Sequence, residues 1–346
     1  MLAERLGIWF EAPPKDASFS KTNSTTDFFC LNSNLGLKRN ENQDRTAALY
    51  VNSGGNLKQS FYCFVLCDGM GGMKNGSAAA SVSVSTFIES LIVCRNDPPE
   101  QRLQISALAA NDAVKKRNGG GSTLSAVLIS ENKIFSLNVG DSRIYSKSTN
   151  GVVKRHTKDD NLKEFAGGED ERLLQFIGMG DGLRPHINTL ENDFDLLFLT
   201  SDGVHSLDTN VFDKLVQNSH SSTELCSRLV STSVWTGGHD NASVIGVSKS
   251  ITENLKPERQ GPEIAVWNNS SEMQIVWADR EQKKPLSGDN TLDAKPPVAE
   301  HQDPDFDLTE NDDLGLEGGQ DNRKTPPKNK NKTKNKEPKD SFGDFG

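Results

Sequence analysis

The sequence predicts an α+β domain whose apolar strands gather into a sheet sandwich. Three observations carry this. Apolar runs of strand length recur and repeatedly meet an acid in a small-residue turn. Tight turns join neighbouring runs as hairpins. Two stretches with helical spacing follow the first such turn. The organising stretch is residues 61–72, FYCFVLCDGMGG. Alternation sends Tyr62, Phe64 and Leu66 to one face and Cys63, Val65 and Cys67 to the other. Both faces are apolar, so the strand is expected to be covered on both sides. Asp68 stands where the strand runs out, and Gly69, Gly71 and Gly72 strip bulk from the backbone around it. A carboxylate there is costly unless a cation or hydrogen bonds compensate it.

The chain has 346 residues, long enough for a substantial core. Its hydrophobic content of 34% is low, and the deficit is concentrated in the last hundred residues. A net charge of −9 argues against general nucleic-acid affinity. No apolar run approaches a membrane span, and residues 1–10 lack a basic start and long apolar core. The expectation is a soluble, cytoplasmic monomer with no membrane contact. Cys30, Cys63, Cys67, Cys94 and Cys226 follow no metal-ligand spacing and read as buried structural thiols in a reducing compartment.

Residues 1–26 read as a loose leader with Trp9 and Phe10 as pinning aromatics. The ordered domain is expected over 27–250. Strands are read at 46–51, 61–67, 124–130, 134–139 and 242–247, with a further one at 195–200. Helices are read at 77–94, 103–116, 211–216 and 225–235. Residues 154–190 form a polar excursion anchored by 173–177. A short hairpin or docking segment is expected within 251–279. From 280 to 346 the chain is acidic and then Lys-rich, and reads as a disordered, solvated tail; a basic stretch on an acidic protein keeps two alternatives open, holding a protein partner or folding back over its own site.

Four apolar strands are read as ending in a turn that bears an acid: Asp68, Asp141, Asp202 and Asp240. Asp44 follows closely on Arg39. Brought to one edge of a sandwich, these carboxylates repel one another, and hard divalent cations offset the repulsion. Oxygen-only ligation points to Mg²⁺ or Mn²⁺ rather than zinc. Two such ions about 4 Å apart activate a shared water for in-line attack on phosphorus. Arg39 supplies a fork for phosphate oxygens.

The strings GLKRNENQDR, FVLCDGMGG, GGSTLSAVLI, NVGDSRIY, DLLFLTSDGV and GGHDNASVI occur in that order over residues 27–250. Together they resemble the bacterial-type metal-dependent type 2C protein serine/threonine phosphatases. The resemblance implies a four-layer α-β-β-α sandwich of two antiparallel sheets flanked by helices. It further implies that Asp68 bridges two catalytic Mn²⁺ or Mg²⁺ ions, that the Gly69 carbonyl binds one of them, and that Asp202 and Asp240 complete the first ion. Asp141 would hold a third ion together with Asp202. Arg39, Asp44, Asp68, Asp202 and Asp240 form the implied catalytic set, with Asn241 in support. The partners implied are a phosphorylated protein substrate and a cognate serine/threonine kinase whose action it reverses in signalling.

Two positions depart from the family pattern. Gln43 stands where a glutamate is usual, and Met70 where many members carry a histidine that protonates the leaving group. Many bacterial-type members share this departure, which implies leaving-group protonation by metal-bound water; His156 and His239 are the substitutes to weigh, against the commoner role of solvated loop histidines. The departures also raise an alternative, a weak or inactive pseudophosphatase acting as a binding module, which the intact Asp68, Asp202 and Asp240 oppose.

Overall fold

The computed structural model describes residues 2–11, 16–22, 26–54, 60–70, 75–117, 119–253 and 262–276. The chain divides into two units at residues 283/284, and every described residue belongs to the first. The tail expected from 280 onward lies outside the described residues.

In chain order the first elements are α1 (Leu2–Glu11), β1 (Asp16–Thr22), β2 (Asp27–Asn34), β3 (Arg45–Ser53), β4 (Phe61–Cys67), α2 (Gly76–Val93) and α3 (Pro99–Lys116). There follow β5 (Leu124–Ser130), β6 (Lys133–Val139), β7 (Arg143–Lys147), β8 (Val153–Arg155), α4 (Leu162–Ala166), β9 (His186–Leu190) and β10 (Leu196–Thr200). The last are α5 (Asp202–His205), α6 (Thr209–Gln217), α7 (Ser222–Trp235), β11 (Ala242–Ser248), α8 (Ser250–Glu253), β12 (Pro262–Trp267) and β13 (Glu272–Val276). The strands form two antiparallel sheets, β1-β2-β11-β10-β7-β8 and β13-β12-β3-β4-β5-β6-β9.

Three apolar clusters define the layers. One lies between the sheets, where Phe64 and Leu66 of β4 meet Leu31, Leu199 and Ile245. A second lies between the outer face of the seven-stranded sheet and α1–α3, and takes Cys63, Val65 and Cys67. A third packs Phe198 and Val244 against α5–α7. The alternation read in β4 thus assigns its two faces to two different cores. Helices on both outer faces make the four-layer α-β-β-α sandwich. All five cysteines are buried and free.

Three sequence expectations need correction. The leader instead forms α1, with Leu6 and Phe10 buried against α2, and β1, paired along β2. The polar excursion returns as β9, an edge strand on β6. Helix α2 is long and apolar enough to cross a membrane by composition, contrary to the reading that no run approaches a span, but 67% of it is buried inside the protein. Pro99 opens α3 at the first turn, where its missing N–H leaves no bond unmade. The expected hairpin exists as β12–β13, and β12 extends the seven-stranded sheet through β3.

Candidate active site

Strand register brings the acids to one end of the sandwich. Arg45 pairs with Cys67, so Asp44 and Asp68 adjoin as β3 begins and β4 ends. Thr200 pairs with both Arg143 and Val244, which draws Asp202 towards Asp141 on one side and Asp240 on the other. Asp240 precedes β11 rather than ending a strand, a correction to the sequence reading. The antiparallel arrangement makes strand entries and exits share this end.

The turns are held by specific bonds. Asp68 N–H donates to Thr123 Oγ1 (2.9 Å), and the Asp68 carbonyl accepts from Thr123 N–H (2.8 Å). Gly69 N–H donates to the Gln43 carbonyl at 3.2 Å. A side chain at Gly69 would sit 2.4 Å from the Gly76 carbonyl, so only glycine lets the backbone pass. Asn241 organises the loop that precedes Asp44. Its Oδ1 accepts from Gln43 N–H, and its Nδ2 donates to the carbonyls of Leu35 and Glu41.

Asp44 is the buried member, 2% exposed, whereas Asp68, Asp141, Asp202 and Asp240 are half-buried with an open side. Ser201 Oγ donates to Asp44 Oδ2 at 2.9 Å, while Asp44 Oδ1 is buried without a hydrogen bond. Burial pushes Asp44 up to about 6 against the pull of the Ser243 and Ser201 hydroxyls. Asp68 is pushed well above the usual carboxylate range, first by desolvation and then by Asp44, Asp202, Asp141 and Asp240. Asp202 rises to about 7, by desolvation and then the charges of Asp141 and Asp240. Asp141 rises to about 6, again mainly by desolvation. Arg39 Nη2 lies 2.5 Å from Asp240 Oδ2, a bond that raises the arginine's pKa, with Asp202 and Asp68 adding to the effect. The Arg39 loop is pinned by Leu37 and Lys38 N–H groups donating to the Gly238 carbonyl.

Among the described residues no three His, Cys, Asp or Glu side chains form a closed metal shell by themselves. The donors nevertheless fit hydrated hard cations, which need one or two carboxylates and fill their remaining positions with water. Clustered carboxylates with raised pKa values and an orphaned buried oxygen are what such ions would relieve.

A cavity of about 720 Å³ opens beside the acids, lined by Asp141, Asp202 and Asp240 on one side and by Arg143, Lys163 and Glu171 among others. His239 lines it; His156 does not, and instead bonds Ser146 Oγ through Nε2 at 2.8 Å. Met70 packs at Gly121 and Phe176, since a side chain at Gly121 would strike both. Sequence reasoning missed His205, which lines the cavity with Nδ1 3.0 Å from Thr200 Oγ1 and is kept neutral by desolvation. It also missed the small polar residues under the site. Asn42 Nδ2 donates to Ser33 Oγ, which bonds Ser243 Oγ, and Ser243 N–H donates to Ser201 Oγ. Their signal was present as hydroxyls and amides flanking apolar strands in TSDG and DNAS.

The fold and this end of it define a phosphomonoester hydrolase of the metal-dependent kind, and comparison with known proteins gives the family. The model for "Protein phosphatase 2C" matches residues 38–233. The chain belongs to the protein phosphatase 2C family of metal-dependent protein serine/threonine phosphatases. It is 24% identical over 215 residues to the serine/threonine phosphatase stp of Listeria monocytogenes serotype 4b, covering 55% of this chain and 85% of the relative. It is 29% identical over 203 residues to protein phosphatase PhpP of Streptococcus pneumoniae serotype 2, covering 51% and 78%. In fold it resembles the catalytic domain of the serine/threonine protein phosphatase PstP in complex with two manganese ions, with a TM-score of 0.52, 24% identity, and coverage of 64% of this chain and 96% of that one.

Proposed function

We propose that this protein hydrolyses phosphoserine and phosphothreonine in protein substrates, opposing a serine/threonine kinase, with two Mn²⁺ or Mg²⁺ ions at the acid end of the sandwich. The observation that carries the reading is the approach of Asp44, Asp141, Asp202 and Asp240 to Asp68 with Arg39 as the adjoining exposed cation. Asp68 would be shared by the ions, with the Gly69 carbonyl on one and Asp202 and Asp240 on the other; Asp141 with Asp202 would serve a third. When bound, the ions lower the pKa of water towards neutrality and offset charge on the phosphoryl group. Arg39 then forks the non-bridging oxygens, exchanging its bond to Asp240 for one to substrate. Asp44, fixed by Ser201, orients water from beneath. Of the two histidines on the cavity wall, His205 and His239, His239 adjoins Asp240 and would share with metal-bound water the task of giving the leaving oxygen its proton. The cavity, about 720 Å³, exceeds what one phosphoryl group fills and suits the flanking chain of a protein substrate.

The test is phosphate release from a phosphothreonine peptide, wild type beside Asp202→Asn, with and without Mn²⁺. Release that requires Mn²⁺ and falls on the order of 10²-fold or more in the variant is expected. A wild type that binds Mn²⁺ yet releases nothing from several peptides would leave only the binding-module reading.

A further inference from the structure

Arg45 follows Asp44 directly and is buried, 2% exposed. All five of its N–H groups are used. Nε donates to Ser81 Oγ (2.9 Å) and one Nη2 hydrogen to Ser77 Oγ (2.6 Å), both on the first turns of α2. Nη1 donates to the carbonyls of Asn42 (2.8 Å) and Asp44 (2.9 Å). The other Nη2 hydrogen goes to the carbonyl of Glu11 (3.2 Å), the last residue of α1. Ser81 Oγ in turn lies 3.0 Å from the Ser77 carbonyl and 3.3 Å from the Phe10 carbonyl, the two acceptors for its one hydrogen. The planar fork has no equivalent in lysine, which carries three donors on a single atom.

Two of the three receiving segments lead to a site group. Bonds to Asn42 and Asp44 set the curve of the strand entry that carries Arg39, Gln43 and the Asp44 carboxyl. Ser77 and Ser81 fix α2 just beyond the turn that follows Asp68 and Gly69. The third segment, α1, lies outside residues 38–233 matched by the family model, and carries no site side chain. A helix C-terminus leaves its last carbonyls unpaired and favours a cation there. Arg45 is that cation for α1. The helix is itself held to α2 by buried Leu6 and Phe10 and by Ala3 N–H donating to Glu89 Oε1 at 2.9 Å.

From this bond set we infer that Arg45 is a positioning residue for the metal and phosphate site, and that α1 supports the site through it. The inference rests on the functional reading above for what the positioned groups bind. Unseating α1 removes one anchor of the fork and loosens the Arg39–Asp44 segment from a distance.

The experiment is Mn²⁺ binding by calorimetry, which needs no turnover, on the full chain as wild type, Arg45→Lys, Phe10→Ala and the double variant. Near-ultraviolet circular dichroism checks that each is folded. The expected result is Mn²⁺ affinity about tenfold weaker in Arg45→Lys, a smaller loss in Phe10→Ala, and a double variant no weaker than Arg45→Lys alone. Folded Arg45→Lys with wild-type affinity would overturn the assignment. Effects that multiply in the double variant would overturn the route through α1. If Arg45→Lys does not fold, Phe10→Ala decides: weakened Mn²⁺ binding supports the inference and unchanged binding sinks it. A wild type that binds Mn²⁺ but hydrolyses no phosphopeptide would fail the functional reading while leaving this cycle legible.

Discussion

Asp44 and Asp159 are both buried carboxylates near the same cavity, 2% and 7% exposed, and they are treated in opposite ways. Asp159 receives Arg143 through Nε and Nη2 and Arg155 through Nη2, at 2.5–3.2 Å. Its charge is fully answered by protein. Asp44 is met by hydroxyls and no cation, keeps one oxygen without a hydrogen bond, and neighbours more acids. Burial alone therefore does not mark a functional acid. The mark is burial combined with the protein's failure to supply a counter-charge, which leaves room for one from outside.

The two acids should respond differently to loss of charge. Asp44→Asn should lower Mn²⁺-dependent hydrolysis on the order of 10²-fold while leaving thermal stability of the metal-free protein unchanged or higher, since a repelling charge is gone. Steady-state kinetics beside calorimetric melting in EDTA would check both halves. Asp159→Asn should act in reverse, costing about 3 kcal/mol of stability by leaving Arg143 without its carboxylate and Arg155 with Glu164 alone, at the low end because both arginines are partly exposed. Urea unfolding would measure it, and a loss below about 1 kcal/mol would erase the contrast.

Titration sharpens the same comparison. Asp44 and Asp141 near 6 and Asp202 near 7 lie above the ordinary value of 3.8. Between roughly pH 4 and 7 the metal-free folded protein therefore binds more protons than the unfolded chain, so stability falls as pH rises through that window. The melting temperature in EDTA should be higher at pH 5 than at pH 7.5, and Mn²⁺ should raise it most at pH 7.5. Asp44→Asn should flatten the slope. The smallest effect expected is Arg39→Lys, raising KM several-fold with little change in stability, because lysine keeps charge and loses the fork.

Strands with apolar alternation and the acids beside them were legible in the sequence because both signals are local. Residues 61–67 carry their own face assignment, and Asp68 needs only its neighbours to look anomalous. The partners of the polar residues were not legible. That Ser201 serves Asp44, 157 positions away, or that Arg143 and Arg155 converge on Asp159, is decided by sheet register. β9 escaped because only Ile187 and Leu190 of HINTL turn inward on an edge strand. The N-terminal elements escaped because α1 is short and residues 13 and 14 are both proline.

The order of strands has a consequence for synthesis on the ribosome. β11 is inserted between β2 and β10, so β2 must wait for a strand that begins at Ala242. At about 5–20 residues per second, the interval between the two is roughly 10–40 s. During that time β1 is the partner already at hand, paired along β2 from Asp16 to Thr22. It covers one of the two open rims of a nascent strand whose Phe29 and Leu31 are later buried between the sheets. A chain started after Thr22 would emerge with both rims bare, and should show the difference as aggregation in cell-free translation rather than as a change in the finished molecule.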